Sequence, residues 1–502
     1  MPLSTVGPPR VPRLGAWPRN RPRIDAVVLC HPVALAGQGT SRQLQEAWLG
    51  LTRRFAGTPV HVAYVGAPVP ANTIGLADPL APVEPVDTGE VPGRFRAATA
   101  ALTRALRALR EAGARHVAVV CAGYTAYGPE AVKRALDSLS TGGAAMKACV
   151  FLVDSAYPDT DARDARRDRS GWPRGRFFAP AYESTAAART AFLLTSAYAY
   201  DPWLLNERAP EGLGGVGVIS PPYTDSYLRW LEATARRARI DGGADLYGAL
   251  PGFARRRSDD LLVPLVASDV WSPSAVGAWM TRKQHESCRS GTESLIRTLV
   301  RISERLGRRI WVPIDVAGAE FVSGLNLPGV AVLRTREQRE DAESKVLLPA
   351  YRGLSQADHA TLLAAARLAV SRTGGQANAT AVLAVARTPN FVLDMPACGY
   401  MQSELTSLAI ARELRVSADG AVRNVARSAP LGWLAHWKQA PQEVEGLLWE
   451  ALTVDAERAR RANAAYDAFH SLRRAPGGTL VDVLADAAGV GKRGARGKRP
   501  AR

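Results

Sequence analysis

Apolar and polar positions along this chain alternate between two regimes. Short, nearly continuous apolar runs predict strands buried on both faces: "IDAVVLC" (24–30), "VHVAYVG" (60–66), "HVAVVC" (116–121), "ACVFLVD" (148–154) and "GVGVI" (215–219). A parallel sheet covered by helices on both sides requires that pattern. Between the runs lie longer amphipathic stretches, such as "RFRAATAALTRALRALREAG" (94–113), which ends in Gly113 as a helix C-cap would. Strand–helix–strand repetition predicts a doubly wound α/β domain over 23–240, with a helix over 226–240 as its last element. Residues 241–260 mix Gly, Pro and charge, as linkers do. The alternation then restarts in a second domain over 261–487. Its strands are predicted at 261–268, 308–314, 329–334, 368–372 and 390–396, with helices at 290–306, 402–413 and 441–472. Two Rossmann-like domains joined in this way face each other across a cleft. Ligands of open α/β sheets bind beyond the carboxyl ends of the strands, so the cleft is the expected site.

Length agrees with two domains, because 502 residues exceed what one ordinary core organises. The 47% hydrophobic content fits a soluble globular protein. No apolar run reaches the roughly 18 residues a membrane span needs. Residues 1–22 are rich in Pro and Arg without an apolar core and read as a disordered leader, not a signal peptide. Residues 488–502 read as a disordered basic tail. Five cysteines without a CxxC argue against a disulfide framework, and Cys30, Cys121 and Cys149 sit in apolar runs as buried free thiols. A reducing, cytoplasmic compartment is expected. The net charge of +17, part of it in the leader and tail, implies attraction to polyanions. It does not choose between an anionic membrane face and nucleic acid. No obligate protein partner is evident.

Candidate chemistry concentrates in "SRTGGQANATAVLAVARTPNFVLDMPACGYMQSE" (371–404). A strand runs into Thr373-Gly374-Gly375, and a helix is predicted near Asn378. Glycines let the backbone take positive φ and approach a ligand with no Cβ in the way. The helix start adds unpaired N–H groups and partial positive charge, a combination that holds phosphate. Thr373 and Asn378 offer further hydrogen bonds, and Asn378 is also a helix cap. A tight strand–helix turn without a ligand is the competing reading.

The stretch resembles the donor-binding half of GT-B glycosyltransferases, the class that includes MurG and the UDP-glycosyltransferases. The resemblance rests on the Gly-containing turn, Asn378 and Thr380 at the helix start, Pro389, the Pro396-ended strand and Gln402. Upstream, "LLPAYRGLSQADHATLLAAARLAVSR" (347–372) is similar to the family's base-binding loop, helix and strand. The resemblance implies an inverting, metal-independent glycosyltransferase that uses a nucleotide-sugar donor, a UDP-sugar above all. It further implies that Tyr351, Arg352, Gly353 and Leu354 face the base. Arg372, Thr373, Gly374, Gly375 and Asn378 would face the diphosphate and Gln402 the sugar, with Glu404 or Asp394 as the candidate carboxylate for the ribose. One departure stands out: the position where many members hold ribose through a Glu is Val382 here.

In the N-terminal half, "VVLCHPVALAGQGTSRQLQEAW" places His31 at a strand's carboxyl end, before a loop with Gly37, Gly39 and Thr40. The family's first Gly-rich loop approaches the acceptor and often carries a catalytic His, so the resemblance makes His31 a candidate base. An imidazole with an ordinary pKa near 6.5 suits that task. A structural histidine closing the strand is the alternative. Asp154, ending "ACVFLVD", is a second candidate base or the carboxylate that orients His31; turn and cap roles compete. Asp159-x-Asp161 has metal-ligand spacing, yet it lies in a run of alternating acids and arginines that reads as a solvated loop, and no metal is expected. Two other functions stay open. One is nucleic-acid binding, including glycosylation of a modified base in DNA, with "GWPRGRFF" as the only aromatic–basic stretch. The other is a sugar-nucleotide epimerase of the same fold, which tends to carry an acidic pair after the glycines that "GGQANATAV" lacks. A charged acceptor, either lipid-linked at the inner membrane face or DNA, would use the positive charge.

Overall fold

The computed structural model describes residues 23–31, 40–66, 84–85, 91–122, 127–139, 146–153, 188–194, 216–218, 225–266, 282–338, 341–372, 377–394, 412–416, 422–426, 430–436, 439–472 and 479–490. The first unit opens with β1 (Ala26–His31), α1 (Thr40–Phe55), β2 (His61–Gly66), β3 (Glu84–Pro85), α2 (Val91–Glu111) and β4 (His116–Ala122). It continues through α3 (Tyr127–Leu139), β5 (Lys147–Val153), β6 (Ala188–Leu194) and β7 (Val216–Val218). All seven strands are parallel, in the order β3-β2-β1-β4-β5-β6-β7. The near-continuous apolar runs are explained by burial on both faces. Val27, Leu29, Ala118, Val120 and Phe151 point to the face covered by Ala47 and Leu51 of α1. The alternate residues Val28, Cys30, Val117, Val119 and Val150 point the opposite way and are buried as well. Gly113 takes φ 97° just past α2, the left-handed conformation a C-cap glycine supplies. Cys30 and Cys149 are buried and form no disulfide, and burial pushes the Cys149 thiol up to about 12.

The second unit contains α4 (Asp225–Ile240), β8 (Leu261–Leu262), β9 (Leu265–Val266), α5 (Arg282–Leu306), β10 (Ile310–Trp311), β11 (Ile314–Asp315), α6 (Val316–Gly324) and β12 (Val330–Leu333). It goes on with β13 (Val346–Tyr351), α7 (Gln356–Ala365), β14 (Ala369–Arg372), α8 (Ala377–Val385), β15 (Asn390–Asp394), β16 (Arg412–Val416), β17 (Val422–Ala426), β18 (Trp433–His436), α9 (Pro441–Thr453) and α10 (Asp455–Leu472). Pro264 and Pro313 interrupt two strands, since proline has no N–H to give to a ladder. The sheet carries on through their carbonyls: Leu265 N–H donates to Pro313 O at 3.3 Å, and Val370 N–H to Pro264 O at 3.0 Å. The order is therefore β12-β13-β10/β11-β8/β9-β14-β15-β18, all parallel. One face packs on α5, α6 and α9, and the other on α4, α7, α8 and α10. Helices on both faces of each parallel sheet make two doubly wound α/β units.

Packing and chain order disagree in three places. Tyr227, Leu228 and Leu231 of α4 are buried among α7 and α8 of the second unit, although the strand pattern expects that helix to close the first. The segment 241–260, expected to be an open linker, folds into two short 3₁₀ turns, and its Leu246, Leu250 and Phe253 are buried against Trp311. The Phe253 and Trp311 rings meet edge-on at 5.8 Å. The last helix, α11 (Leu480–Ala487), returns to the first unit, where Leu480, Val483 and Leu484 pack with Val27, Leu29 and Leu51. Two secondary-structure expectations are corrected as well. Residues 412–416 pair antiparallel with β17 instead of ending a helix, and the helix expected over 441–472 breaks at Val454. Among the described residues no helix is long and apolar enough to cross a membrane.

Candidate functional site

Each sheet has one point where the strand order reverses. In the first unit the chain moves from β1 outward to β2 and β3, then returns to place β4 on the other side of β1. In the second it moves from β8/β9 outward through β10/β11 to β12, steps back inside it to β13, then crosses to place β14 on the other side of β9. The loops leaving the two strands at such a point part in opposite directions, which opens a crevice at the carboxyl edge.

At the first reversal, His31 is the last residue of β1 and stands opposite Gly66. Asp154 lies outside the described residues. It follows Val153, the end of β5, and β4 runs between β5 and β1. The two strand ends are thus two strands apart, roughly 10 Å at ordinary spacing. Thr40 opens α1, while Gly37 and Gly39 lie outside the described residues.

At the second reversal, Arg372 closes β14 beside Leu393, and α8 begins only five residues later, with Asn378 as its second residue. Thr373, Gly374 and Gly375 fall in that gap, outside the described residues, as do Gln402 and Glu404. The strand leading into the gap is fixed sideways: Ser371 Oγ donates to Asn390 Oδ1 at 2.8 Å, with both residues buried. The helix leaving it is held by core contacts of Ala379, Ala381, Val382, Leu383 and Val385. Val382 is 2% exposed, so the position where a ribose-holding carboxylate was expected faces the core instead.

Three strands away along the same edge, Tyr351 ends β13. Gly353 takes φ 58°, and a Cβ there would meet nothing within 4 Å, so the backbone conformation and not crowding calls for glycine. Leu354 is buried with Leu347 and Leu362, which pins the loop, whereas Arg352 is exposed. Ser355 caps α7 by accepting from Asp358 N–H at 3.1 Å, and its hydroxyl donates to the Asp358 carboxylate at 2.7 Å. Sequence reasoning passed over Asp315, whose Oδ1 accepts from Gly318 N–H at 2.6 Å and caps α6. An Asp at the end of an apolar strand was the available signal. Three helices thus open at this edge with their partial positive ends toward it. The caps of α6 and α7 come from their own chain. Burial pushes the His359 imidazole in α7 down to about 4, so it adds no charge there near neutrality. Among the described residues no group of three or more His, Cys, Asp or Glu is placed to hold a metal ion, and Asp159 and Asp161 lie outside them.

No family model matches the chain, and no curated protein matches it. Among solved structures it is similar to the N-terminal domain of trehalose-6-phosphate phosphatase from Candida albicans, with a TM-score of 0.53 and 9% identity, over 96% of this chain and 100% of that one. It is also similar to α,α-trehalose 6-phosphate synthase from Burkholderia multivorans, with a TM-score of 0.50 and 11% identity, over 92% and 95%. Likeness at such identity is likeness of fold. The fold is the GT-B architecture of two Rossmann-like units, as the resemblance in residues 347–402 implied.

Proposed function

We propose that the chain is a glycosyltransferase that moves a sugar from a nucleotide-sugar donor, a UDP-sugar above all, to an acceptor hydroxyl. The observation that carries this reading is the place of the segment between β14 and α8, which holds Thr373, Gly374 and Gly375 in sequence. The two elements it connects lie at the strand-order reversal of the second sheet, on the same edge as two helix starts whose caps are already supplied. Backbone N–H groups and the α8 dipole there would meet the departing diphosphate without a metal ion. The Tyr351–Leu354 loop, about 14 Å along the edge by strand spacing, would receive the base, Gln402 the sugar, and Glu404 or Asp394 the ribose. His31, at the reversal of the other sheet, would accept the acceptor's hydroxyl proton as the oxygen bonds to C1 and the C1–diphosphate bond breaks. Attack opposite the leaving group inverts the anomeric centre. Asp154 would orient that imidazole or replace it as the base.

A thermal-shift panel of nucleoside diphosphates tests the reading. One of them should raise the melting temperature, and Gly374→Asp should abolish the rise. A panel without any shift would remove the proposal.

A further inference from the structure

A cavity of about 760 Å³ opens at the opposite, amino-terminal end of the second sheet. Its walls are the end of α4, the segments that enter β8, β10, β14 and β15, and the start of α10. Seven arginines and three aspartates line it. The aspartates are engaged elsewhere. Asp241 accepts from Gly243 N–H at 2.8 Å, and Asp260 holds Arg309 at 3.0 Å and Trp311 Nε1 at 2.8 Å. Asp455 takes both Arg367 and Arg458. That leaves Arg239, Arg256, Arg257, Arg308 and Arg387 with no ion pair among the described residues. The Arg256 Nε is buried without a hydrogen-bond partner, while its Nη1 donates to Gly242 O at 2.8 Å. Arg387 stacks over Tyr466 at 4.1 Å and has φ 49°, a helix-terminal conformation that glycine fills more readily. Burial, and then the nearby Arg387, hold the Arg239 guanidinium below its ordinary range. Like charges gathered in one concave site repel each other until an anion enters. The rim also carries Ile240 and Tyr247, 81% and 47% exposed, so an apolar or planar group has a surface to lie on.

We propose that this cavity binds a phosphorylated small molecule, its phosphate held by Arg239, Arg256 and Arg387 and its organic part against Tyr247. The volume suits a ligand larger than phosphate alone. The site stands at the other end of the strands from the Thr373–Gly375 turn, so it is distinct from the proposed donor site and does not depend on that reading. Occupation would fasten α4 to the loops entering β14 and β15, which makes the molecule an effector and not a reactant.

Binding of inorganic pyrophosphate, ribose 5-phosphate and AMP to the full chain, measured by calorimetry, tests this. Arg239→Ser with Arg387→Gly should weaken all three at least tenfold. Gly374→Asp should leave ribose 5-phosphate binding unchanged. Both arginines are exposed, and glycine suits the backbone at 387, so a folded double variant is expected; if it fails to fold, Arg257→Ser alone should still weaken pyrophosphate several-fold. Equal affinity in the arginine variants and the native chain would overturn the proposal. So would binding of a single-stranded oligonucleotide at this face with none of the three small phosphates bound.

Discussion

The two units share a doubly wound parallel architecture but hold their strands differently. In the first, β1, β4 and β5 pair without a break over long registers, and the polar ties among the described residues sit at the entry: Asp25 accepts from the Arg115 and His116 N–H groups at 2.8 and 2.9 Å. In the second, prolines cut two central strands, the gaps are bridged by backbone bonds to the proline carbonyls, and buried side chains add ties elsewhere in the unit. Asp260 joins Arg309 and Trp311, Ser371 joins Asn390, and Ser303 Oγ lies 2.6 Å from Arg308 O and 3.0 Å from Lys345 O. Where the ladder is continuous, apolar burial does most of the holding. In the second unit buried side-chain contacts add to that burial, and stability becomes sensitive to single polar atoms.

The contrast can be broken most severely at the chain's end. Truncation after Leu472 strips Leu480, Val483 and Leu484 from the first unit, a loss of roughly 5 kcal/mol or more in apolar burial. Hydrogen exchange should collapse in β1 and β4 while β13 and β15 stay protected; collapse of the second sheet instead would refute the assignment of α11 to the first core. Next in size is Asp260→Ala. It leaves Arg309 and the Trp311 N–H without their buried partner, at a cost of about 3–5 kcal/mol. Denaturant unfolding should show that loss in the second unit only.

Acidification sharpens the comparison further. His359 titrates near 4 in the folded state against about 6.5 unfolded, so the unfolded chain binds more protons between those values. Stability is fully present above pH 6.5 and falls by about 3 kcal/mol as pH drops to 4. Asn at 359, as in His359→Asn, should flatten that slope in the second unit. The smallest effect is expected from Thr479→Ala, which removes the capping box that Thr479 shares with Asp482. It should lower first-unit stability by about 1 kcal/mol, read from the melting temperature.

Much of the fold was legible in the sequence because burial on both faces leaves a local mark. "AVVLCH", "HVAVVCA" and "KACVFLV" are apolar but for one end residue each, and they became the three central strands. The sharp turn expected at Gly374-Gly375 after β14 lies outside the described residues. The antiparallel pairing of Arg412–Val416 with Val422–Ala426 was not legible, because no local pattern encodes that contact; of the helix expected over 402–413, residues 402–411 lie outside the described residues. The basic cavity was equally hidden: its arginines are spread from position 239 to position 458, and each looks like solvated surface in sequence.

The sequence by itself determined the class of fold and five of the seven strands in the first unit's parallel sheet, since hydrophobic period is a property of neighbouring residues. Only the tertiary structure decided which core each helix joins, as with α4 and α11, and which charges meet. Those outcomes depend on surfaces brought together from distant parts of the chain, where the area buried and the counter-charges available are properties of the assembled fold.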